Sequence, residues 1–451
     1  METIAEEIVA SYEPFNNGAG PLWCYGSPTL TRDGERVFCS VPQVVPGAKP
    51  LCNTRWQLFV RRDGEPGFRL VQAGPAAAER EPCPLARLGG GRILLSINPK
   101  VRYRETWNTG ESWACHPHLL QFDVGAPDRL PQIIEPVWDQ DYEFTEHSYR
   151  GIAADAIAGE VLLLNIVGHE GQAWSFLEQG GSWAYAGLIR FPLRACYPHV
   201  ALVNRAAYIL AVSDVVEPNL EWRTFKRRVT GNEWDYDFRQ LYFTWTPDIA
   251  TTPFSPILTI ATVDETCGHI RNLDLWIGPD GDAHVLWLER NVWHAFMRDV
   301  FFPGLPITVA LKYARVRRGE VVERCTLERC EEDVNCRQGA AFEPIAPGQT
   351  ADVPMRDPRP TCAAFHTPDG VRAMVVYHLV GERGINIGCF VRQVVPSLPD
   401  KPVSVQLEHP LHTFFTATVR NGTQPSPVID LFGLGAEPNM VRYAQLRLAD
   451  D

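Results

Sequence analysis

The sequence lacks the features that mark several common classes of protein. No run of about 18 apolar residues occurs, so no membrane-spanning helix and no membrane partner are predicted. The net charge is −12, and this acidic balance argues against a long groove for nucleic acid. A P-loop, a dinucleotide fingerprint and a G-x-S-x-G elbow are also missing, so the sequence predicts no organic cofactor.

The beginning of the chain and its cysteines bear on its location. The first residues, METIAEEIVASYEP, lack the positive region and apolar run of a secretory signal. As written, the sequence predicts a cytoplasmic protein, whereas a chain from which a signal had been removed would be secreted or periplasmic. The twelve cysteines are scattered, and we expect most of them to be reduced and buried.

A short pattern recurs along the chain: an apolar strand, a turn and a second, more apolar strand. Several of the turns carry Asp-Gly or Gly-Gly pairs, which favour tight hairpins. The seven copies begin at Ser27, Cys83, Arg150, Tyr197, Asn272, Thr361 and His412. Further strand candidates between the copies give four strands per unit, which is the outline of a β-propeller.

We therefore predict an all-β fold, a seven-bladed β-propeller that forms a single domain over residues 1–451. The strand-like segments EEIVASYEP and VRYAQLRLAD, at the two ends of the chain, would close the ring by pairing in one blade. A large β-sandwich or a pair of β-domains is the alternative. The irregular stretch at about 318–360 is predicted to be an insertion between units five and six.

Propeller geometry predicts which side chains share a face. Because neighbouring strands are antiparallel, the start of the first strand and the end of the second lie at the same end of a blade. Units three to five send histidine, tyrosine and arginine side chains there: His147, Tyr149, Arg150, His169, Tyr197, His199, Arg223, His269, Arg271 and His294. These residue types can take a proton, give a proton and neutralise a carboxylate, so we predict a ligand site on this face.

Each of these side chains also has a structural interpretation. A single histidine at a strand end is commonly a hydrogen-bonded structural group. Tyr197 would then cap the channel, and Arg223, followed by Lys226, Arg227 and Arg228, would belong to a solvated basic loop. The joint placement of the residues, rather than any one of them, favours a functional site.

Two fragments resemble degenerate copies of the Asp-box of sialidase-like propellers, NTGESW at 108–113 and EQGGSW at 178–183. The chain as a whole resembles the BNR-repeat family and, within it, the ulvan-lyase-type β-propeller polysaccharide lyases. In that type two histidines flank the inner hairpin of one blade, and a tyrosine and an arginine come from the next. His147 and His169 have the first relation, and Tyr197 and Arg223 follow in the next unit.

The resemblance implies a lyase that cleaves a polysaccharide or oligosaccharide next to a uronic acid by β-elimination. Arg223 would neutralise the substrate carboxylate, and His147 and Tyr197 would form the base and acid pair. His169 would orient the carboxylate or act as their partner.

The expected ligand is an anionic oligosaccharide or polysaccharide. The residues predicted to contact it are Arg150, His199, Trp222, Tyr242, Arg271 and His294. The aromatic members would stack on sugar rings, with a place in the blade core as the alternative. Arg205 or Arg150 are the alternatives for the arginine that neutralises the carboxylate, and Tyr208 is the alternative for Tyr197.

The resemblance also suggests a structural metal. Cys325, Cys330 and Cys336 lie in the expected insertion, and with His269 or Cys267 they would hold a structural zinc ion. Such an ion would fasten the insertion to unit five. The alternative is three reduced cysteines at the surface.

Two other functions stay open. A sialidase-like glycoside hydrolase would need an arginine cluster, a tyrosine nucleophile and a glutamate, but intact Asp-boxes are missing. A non-catalytic propeller would bind glycans through aromatic and arginine side chains without needing both His147 and His169.

Overall fold

The computed structural model of the chain describes residues 1–23, 26–104, 112–232, 236–332, 358–381, 386–396 and 401–448. Within these ranges the strands form seven four-stranded antiparallel sheets, called blades below, and two smaller sheets. The predicted all-β propeller is confirmed. No helix in the described ranges is long and apolar enough to cross a membrane.

The first half of the chain contains strand β1 and blades 1 to 3. Strand β1 is Glu2–Ser11, and blade 1 consists of β2 (Leu30–Asp33), β3 (Arg36–Val44), β4 (Thr54–Arg62) and β5 (Arg69–Ala73). Blade 2 consists of β6 (Leu85–Leu88), β7 (Arg92–Ile97), β10 (His118–Asp123) and β11 (Gln132–Ile134). Between β7 and β10 the chain forms β8 (Lys100–Arg104) and β9 (Ser112–Cys115), which make a separate three-stranded sheet with β12 (Phe144–Thr145). Blade 3 consists of β13 (Gly151–Asp155), β14 (Glu160–Val167), β15 (Gly171–Leu177) and β16 (Trp183–Ile189).

The second half contains blades 4 to 7 and two helices. Blade 4 has β17 (Ala195–Val203) and β18 (Ala206–Ser213), an excursion of β19 (Val215–Val216), α1 (Leu220–Thr230) and β20 (Tyr236–Asp237), and then β21 (Gln240–Thr246) and β22 (Leu258–Thr262). Blade 5 has β23 (His269–Ile277), β24 (Ala283–Arg290), α2 (Ala295–Phe301), β25 (Ile307–Arg317) and β26 (Glu320–Glu332). Blade 6 has β27 (Arg359–His366), β28 (Ala373–Val380), β29 (Asn386–Val395) and β30 (Val403–Val405), and blade 7 has β31 (Thr413–Thr416), β32 (Val428–Leu434), β33 (Met440–Arg447) and β1.

The blades are arranged in a ring. In blades 1 to 6 the first strand contacts the first strand of the next blade. The ring closes where β31, the first strand of blade 7, contacts β2 of blade 1. The N-terminal strand β1 pairs antiparallel with β33, from Glu2 opposite Arg447 to Ser11 opposite Met440. The expected pairing of the two terminal segments in one blade is therefore present.

The repeated sequence pattern corresponds to the inner hairpin of each blade. The second strand is covered on both faces by the neighbouring blades, and every residue of β14 is buried. A strand buried on both faces needs an apolar run rather than strict alternation, which explains why the second half of each copy is the more apolar one.

A short loop of blade 7 fills the central channel. The 3-10 turn Val419–Asn421 carries Arg420 into the centre, where its Nε donates to Asp274 at 3.0 Å and a terminal nitrogen donates to the carbonyl of Gly26 at 2.9 Å. Gly422 has a φ of 85°, and a Cβ there would lie 1.9 Å from the carbonyl oxygen of Arg87. The close packing of this loop therefore requires glycine.

Two features of the fold differ from the sequence-based expectations, and a third agrees with them. Residues at the start of the expected 318–360 insertion form β26, the fourth strand of blade 5, and 333–357 lie outside the described residues. The NTGESW fragment lies largely outside them too, and its last two residues begin β9 rather than a turn between outer strands. The EQGGSW fragment forms a tight turn between the outer strands β15 and β16, which is what an Asp-box predicts, and a 3.0 Å hydrogen bond from Glu178 N to Ser182 O closes it.

Helix α1 was missed although the sequence contains its capping signals. The Asn219 side chain accepts hydrogen bonds from the backbone N–H groups of Glu221 and Trp222, at 3.0 and 3.1 Å. Gly231 ends the helix in the left-handed conformation, and its N–H donates to Arg227 O. An asparagine cap followed by a C-terminal glycine is a common helix frame.

Candidate active site

The candidate site lies on the upper face, defined as the end of the propeller where the first strands of blades 2 to 6 begin and their second strands end. His147 and Tyr149 precede β13, His169 follows β14, and Tyr197 lies near the start of β17. These four side chains therefore come from neighbouring blades 3 and 4 and share one face, as the strand pattern predicts.

Two tyrosines form the centre of this group. The rings of Tyr149 and Tyr197 are 4.7 Å apart, and the ring of His147 is 6.2 Å from that of Tyr149. Tyr149 has a φ of 34° and Tyr197 a φ of 51°. Such values are uncommon outside glycine, persist only where the surroundings enforce them and concentrate at functional sites.

The two tyrosines differ in exposure. Tyr197 is 3% exposed and lies in an irregular part of β17, where its carbonyl accepts a 2.7 Å hydrogen bond from Asn272. Tyr149 is half-buried, and burial raises the pKa of its hydroxyl well above the ordinary value. Tyr149 therefore keeps its proton at neutral pH and is the more accessible of the two.

His147 is oriented by a buried carboxylate. Its side chain is 38% exposed, and its Nδ1 lies 3.1 Å from Oε1 of Glu146. The other oxygen of Glu146 accepts from the Ser112 hydroxyl at 3.0 Å and from the backbone N–H of Trp113 at 2.8 Å. Burial raises the pKa of Glu146, but hydrogen bonds from His147 and Trp113 outweigh it and lower the pKa to about 2.

The ionised Glu146 determines the proton position on the neutral ring of His147. A carboxylate accepts only, so Nδ1 of His147 carries the hydrogen in this pair. The basic lone pair of the imidazole then lies on Nε2. This is the arrangement of an imidazole prepared to take a proton.

An arginine that the sequence-based prediction missed links the other members of the group. Arg194 donates from NH1 to Asp214 at 2.5 Å and from Nε to the carbonyl of Gly168 at 3.0 Å. Its guanidinium carbon lies 5.3 Å from the centre of the Tyr149 ring. Partial burial and the Arg194 cation lower the pKa of the adjacent His169. Arg194 thus places a fixed positive charge between the His169 turn and Tyr149.

A sequence signal for Arg194 and Glu146 does exist. Arg194 stands three residues before Tyr197 in LRACYPHV, and Glu146 stands directly before His147 in FTEHSYRG. Both precede a first strand, which is the position that the prediction itself associates with the upper face.

The aromatic contacts continue from blade 4 into blade 5. Tyr197 packs 5.8 Å from Phe238, Phe238 lies 5.3 Å from His269, and His269 stacks on Trp293 at 3.9 Å. Burial, together with nearby His294, lowers the pKa of His269 well below the ordinary value. His269 is therefore neutral and part of an aromatic layer.

Arg223 is not brought into this group. Its side chain is exposed on α1, and within the described ranges no hydrogen bond or ion pair joins it to His147, His169 or Tyr197. Trp222, on the same helix, is half-buried, packs 5.6 Å from Phe302 and lies 5.5 Å from the guanidinium of Arg239. Arg194 is the arginine that the structure does place beside Tyr149.

Arg150 and His199 were predicted to contact substrate, but both side chains are sealed in the protein. Arg150 is 4% exposed and donates to the carbonyls of Ser96 at 3.1 Å and Pro82 at 2.9 Å, between blades 2 and 3. His199 is 0% exposed, with Nδ1 3.2 Å from Arg420 in the filled channel. Their position explains why they do not reach the surface.

The remaining predicted contacts are spread over the ring. Tyr242 is buried, and its hydroxyl donates to Gln240 at 2.6 Å, while burial and Asp264 raise its pKa to about 12. Arg271 is half-buried and donates to Thr413 Oγ1 at 3.3 Å. His294 is half-buried and stacks on Phe296 at 4.8 Å.

The alternatives Arg205 and Tyr208 lie away from the upper face. Arg205 is in the turn that joins β17 to β18 and pairs with Glu178. The Tyr208 hydroxyl donates to the carbonyl of Gly281 at 3.2 Å, and Gly281 is in the hairpin turn between β23 and β24. Both turns are at the opposite end of the strands.

The residues proposed for zinc are not gathered by the described part of the chain. On β26, Cys325 lies opposite Tyr313 of β25 and Cys330 lies opposite Val309. These two partners are four residues apart, so the two cysteines are separated by about 13 Å along the strand. His269 is on the innermost strand of the same blade, and Cys336 lies outside the described residues. Within those residues no group of three His, Cys, Asp or Glu side chains could hold a metal ion. Because Cys336 is not among them, zinc stays a prediction.

The expectation of reduced cysteines agrees with the structure. No disulfide joins any two of the ten cysteines in the described ranges, and nine of the ten are buried.

Comparisons with known proteins support the architecture. No model of a protein family matches the sequence, and no curated protein matches it. Among solved structures, an ulvan lyase described as a new family of polysaccharide lyase is similar over 98% of this chain and 94% of its own, with a TM-score of 0.53 and 10% identity. A structure of such a lyase bound to a GlcA(1-4)Rha3S segment gives the same TM-score.

Two further structures cover most of the chain. Another polysaccharide lyase is similar over 94% of this chain and 90% of its own, with a TM-score of 0.52 and 10% identity. An α-L-arabinanase from Penicillium chrysogenum, complexed with arabinobiose, covers 99% of both chains with a TM-score of 0.44 and 11% identity. At 10% identity the likeness to the lyases shows a shared fold, and the resemblance to ulvan-lyase-type propellers is confirmed at that level.

Proposed function

We propose that this protein is a carbohydrate-active enzyme that cleaves a polysaccharide or oligosaccharide next to a uronic acid by β-elimination. The observation that carries the proposal is the group on the upper face, where His147, Tyr149 and Arg194 lie together. They supply an oriented base, a protonated acid and a fixed cation, which are the three components that the reaction requires.

His147 is the proposed base. Its 38% exposure allows contact with a substrate, and Glu146 holds it with the basic lone pair on Nε2. In the reaction the proton at C5 of the uronate passes to Nε2. The C4–O bond then breaks and a double bond forms between C4 and C5.

Tyr149 is the proposed acid, in place of Tyr197. Burial keeps the Tyr149 hydroxyl protonated, and its greater exposure makes it the one to give that proton to the leaving oxygen. Tyr197 packs against it at 4.7 Å and is proposed to hold its position.

Arg194 is the proposed partner of the substrate carboxylate. A cation near that group makes the adjacent C–H bond more acidic, because the carbanion-like charge is stabilised. Arg194 is already oriented by Asp214 and Gly168, so it is preorganised for this role. His169, whose lowered pKa keeps it neutral, is proposed to help orient the carboxylate.

The test is an elimination assay on a panel of uronate-containing polysaccharides and oligosaccharides, followed by the ultraviolet absorbance of the unsaturated uronate. His147→Ala should lower the rate by roughly 100-fold or more, the usual contribution of a general base. His409→Ala is the matched control, because His409 also pairs with a glutamate, Glu437, at 2.8 Å on a different blade.

The outcomes separate the possible functions. Absorbance that disappears in His147→Ala but persists in His409→Ala supports elimination at this site. Release of reducing sugar without absorbance would favour a glycoside hydrolase. Binding of glycans without turnover would favour a non-catalytic propeller.

A further inference from the structure

A second groove lies between blades 2 and 3, at the opposite end of the strands from the candidate active site. It has a volume of about 870 Å³, within the range of roughly 300–1,000 Å³ that small-molecule sites occupy. The turns at 89–90, 156–159 and 179–181 line it. We name it the lower groove.

The length of β14 separates the two sites. This strand runs from Glu160, beside the lower groove, to Val167, next to the His169 turn. Eight residues of β-strand span about 25 Å, so one sugar ring cannot occupy both places.

The lining is rich in side-chain amides. Gln121, Gln132 and Gln179 all face the groove, and the amide of Gln121 donates to Oε1 of Gln132 at 3.2 Å. A side-chain amide offers both donors and an acceptor. Neighbouring hydroxyls of a sugar have the same double character, so amides in a row can pair with them.

Apolar surface accompanies these amides. Trp183, which is half-buried, lines the groove, and so do Ile133 and Ile157. Ile133 is 59% exposed and Ile157 is 96% exposed. An indole surface beside exposed aliphatic groups suits the C–H faces of a sugar ring, which are the apolar part of an otherwise polar ligand.

The charged side chains that line the lower groove balance each other. Its charged lining residues are Arg92 and Glu135, whose charges cancel. The Nε of Arg92 already donates to the carbonyl of Gly89 at 2.8 Å, and Glu135 lies 3.9 Å from His116. A net-neutral lining offers no excess attraction for an anionic sugar.

From these observations we propose that the lower groove is a second saccharide-binding site, and that its ligand is a neutral oligosaccharide segment. The proposal goes beyond the proposed elimination reaction and does not depend on it. Such a site would hold a neutral part of a branched or mixed polymer on the face away from the chemistry.

The experiment is isothermal titration of the full chain with cellohexaose, xylohexaose and linear arabinohexaose, and with hexagalacturonate as the anionic comparison. The double variant Gln121→Ala, Gln179→Ala removes two lining amides. Gln406→Ala is the matched control, because Gln406 is exposed and lies between blades 6 and 7 rather than on blades 2 and 3. Circular dichroism and thermal unfolding check that each variant is folded, and Gln132→Ala replaces the double variant if that one is not.

We expect at least one neutral hexasaccharide to bind, with a dissociation constant that rises at least tenfold in the groove variant and is unchanged in Gln406→Ala and His147→Ala. Hexagalacturonate should not displace it. The proposal is overturned if no neutral hexasaccharide binds, if the groove variants bind as well as the wild type, or if hexagalacturonate competes. Because His147→Ala leaves this readout unchanged, failure here and failure of the elimination assay are distinguishable.

Discussion

Two groups of ionisable side chains lie on the upper face of the propeller, and they differ in their access to solvent. Beneath helix α1, Lys226 lies 2.8 Å from Asp237 and 3.3 Å from Glu217, and Arg239 lies 2.9 Å from Asp237. These side chains are 0–2% exposed. Two cations thus face two carboxylates in a sealed cluster.

The group around His147 also contains ionisable side chains, but part of it is accessible to solvent. His147 is 38% exposed, and Tyr149 is half-buried. The comparison shows that a concentration of charge does not by itself indicate a site. The sealed cluster fastens α1 to the propeller, whereas the open group has the exposure that a reaction with a polymer requires.

The largest expected effect comes from breaking the sealed cluster. Asp237→Ala removes a partner of both Lys226 and Arg239 and leaves buried charge uncompensated. We expect the free energy of unfolding to fall by about 3–5 kcal/mol, measured by urea denaturation. Arg223→Ala, on the exposed side of the same helix, should change it by no more than about 0.5 kcal/mol. Equal losses in the two variants would show that the cluster does not hold the helix.

The second prediction sharpens the distinction within the open group. Tyr149→Phe removes the proposed proton donor and should lower kcat by about 100-fold, whereas Tyr197→Phe should have a smaller effect. The measurement is kcat on the best substrate of the elimination panel, with thermal unfolding as a check of the fold. A larger loss in Tyr197→Phe would return Tyr197 to the base and acid pair with His147, as the family resemblance implies.

The smallest expected effect is on the pH dependence of stability. Glu146 has its pKa lowered to about 2 in the folded protein, from an ordinary value of 4.5. A carboxyl with a lowered pKa stabilises the fold above its unfolded value, and this contribution is lost as the pH falls from about 4.5 towards 2. In Glu146→Gln the free energy of unfolding should therefore fall less steeply than in the wild type as the pH is lowered through this range. If thermal unfolding shows the same loss of stability at acid pH in Glu146→Gln and in the wild type, Glu146 is not held ionised in the folded protein.

Sequence patterns were sufficient for the fold because each inner hairpin carries its own signal. The apolar second strands and the Asp-Gly and Gly-Gly turns recur in copies whose spacing matches the blades. Helix α1 also carried its capping residues, Asn219 and Gly231, and was missed because the basic run from Lys226 to Arg228 suggested a solvated loop.

The candidate site was predicted only in part. The sequence placed His147, Tyr149, His169 and Tyr197 on one face, and the structure brings His147, Tyr149 and Tyr197 into contact. Arg150 was assigned to the same face, but its side chain lies buried between blades 2 and 3.

The positive φ values of Tyr149 and Tyr197 explain why the sequence predicted the site only in part. Such a backbone conformation changes the direction of the residues that follow, and nothing in the identity of a tyrosine signals it.

The mass of the products tests the central account most directly. Wild-type protein is incubated with the uronate oligosaccharide that it cleaves best, and the two fragments are weighed by mass spectrometry. Elimination adds no water, so the account predicts that the fragment masses sum to that of the substrate and that His147→Ala forms neither fragment. A sum heavier by one water, or cleavage undiminished in His147→Ala, would contradict it.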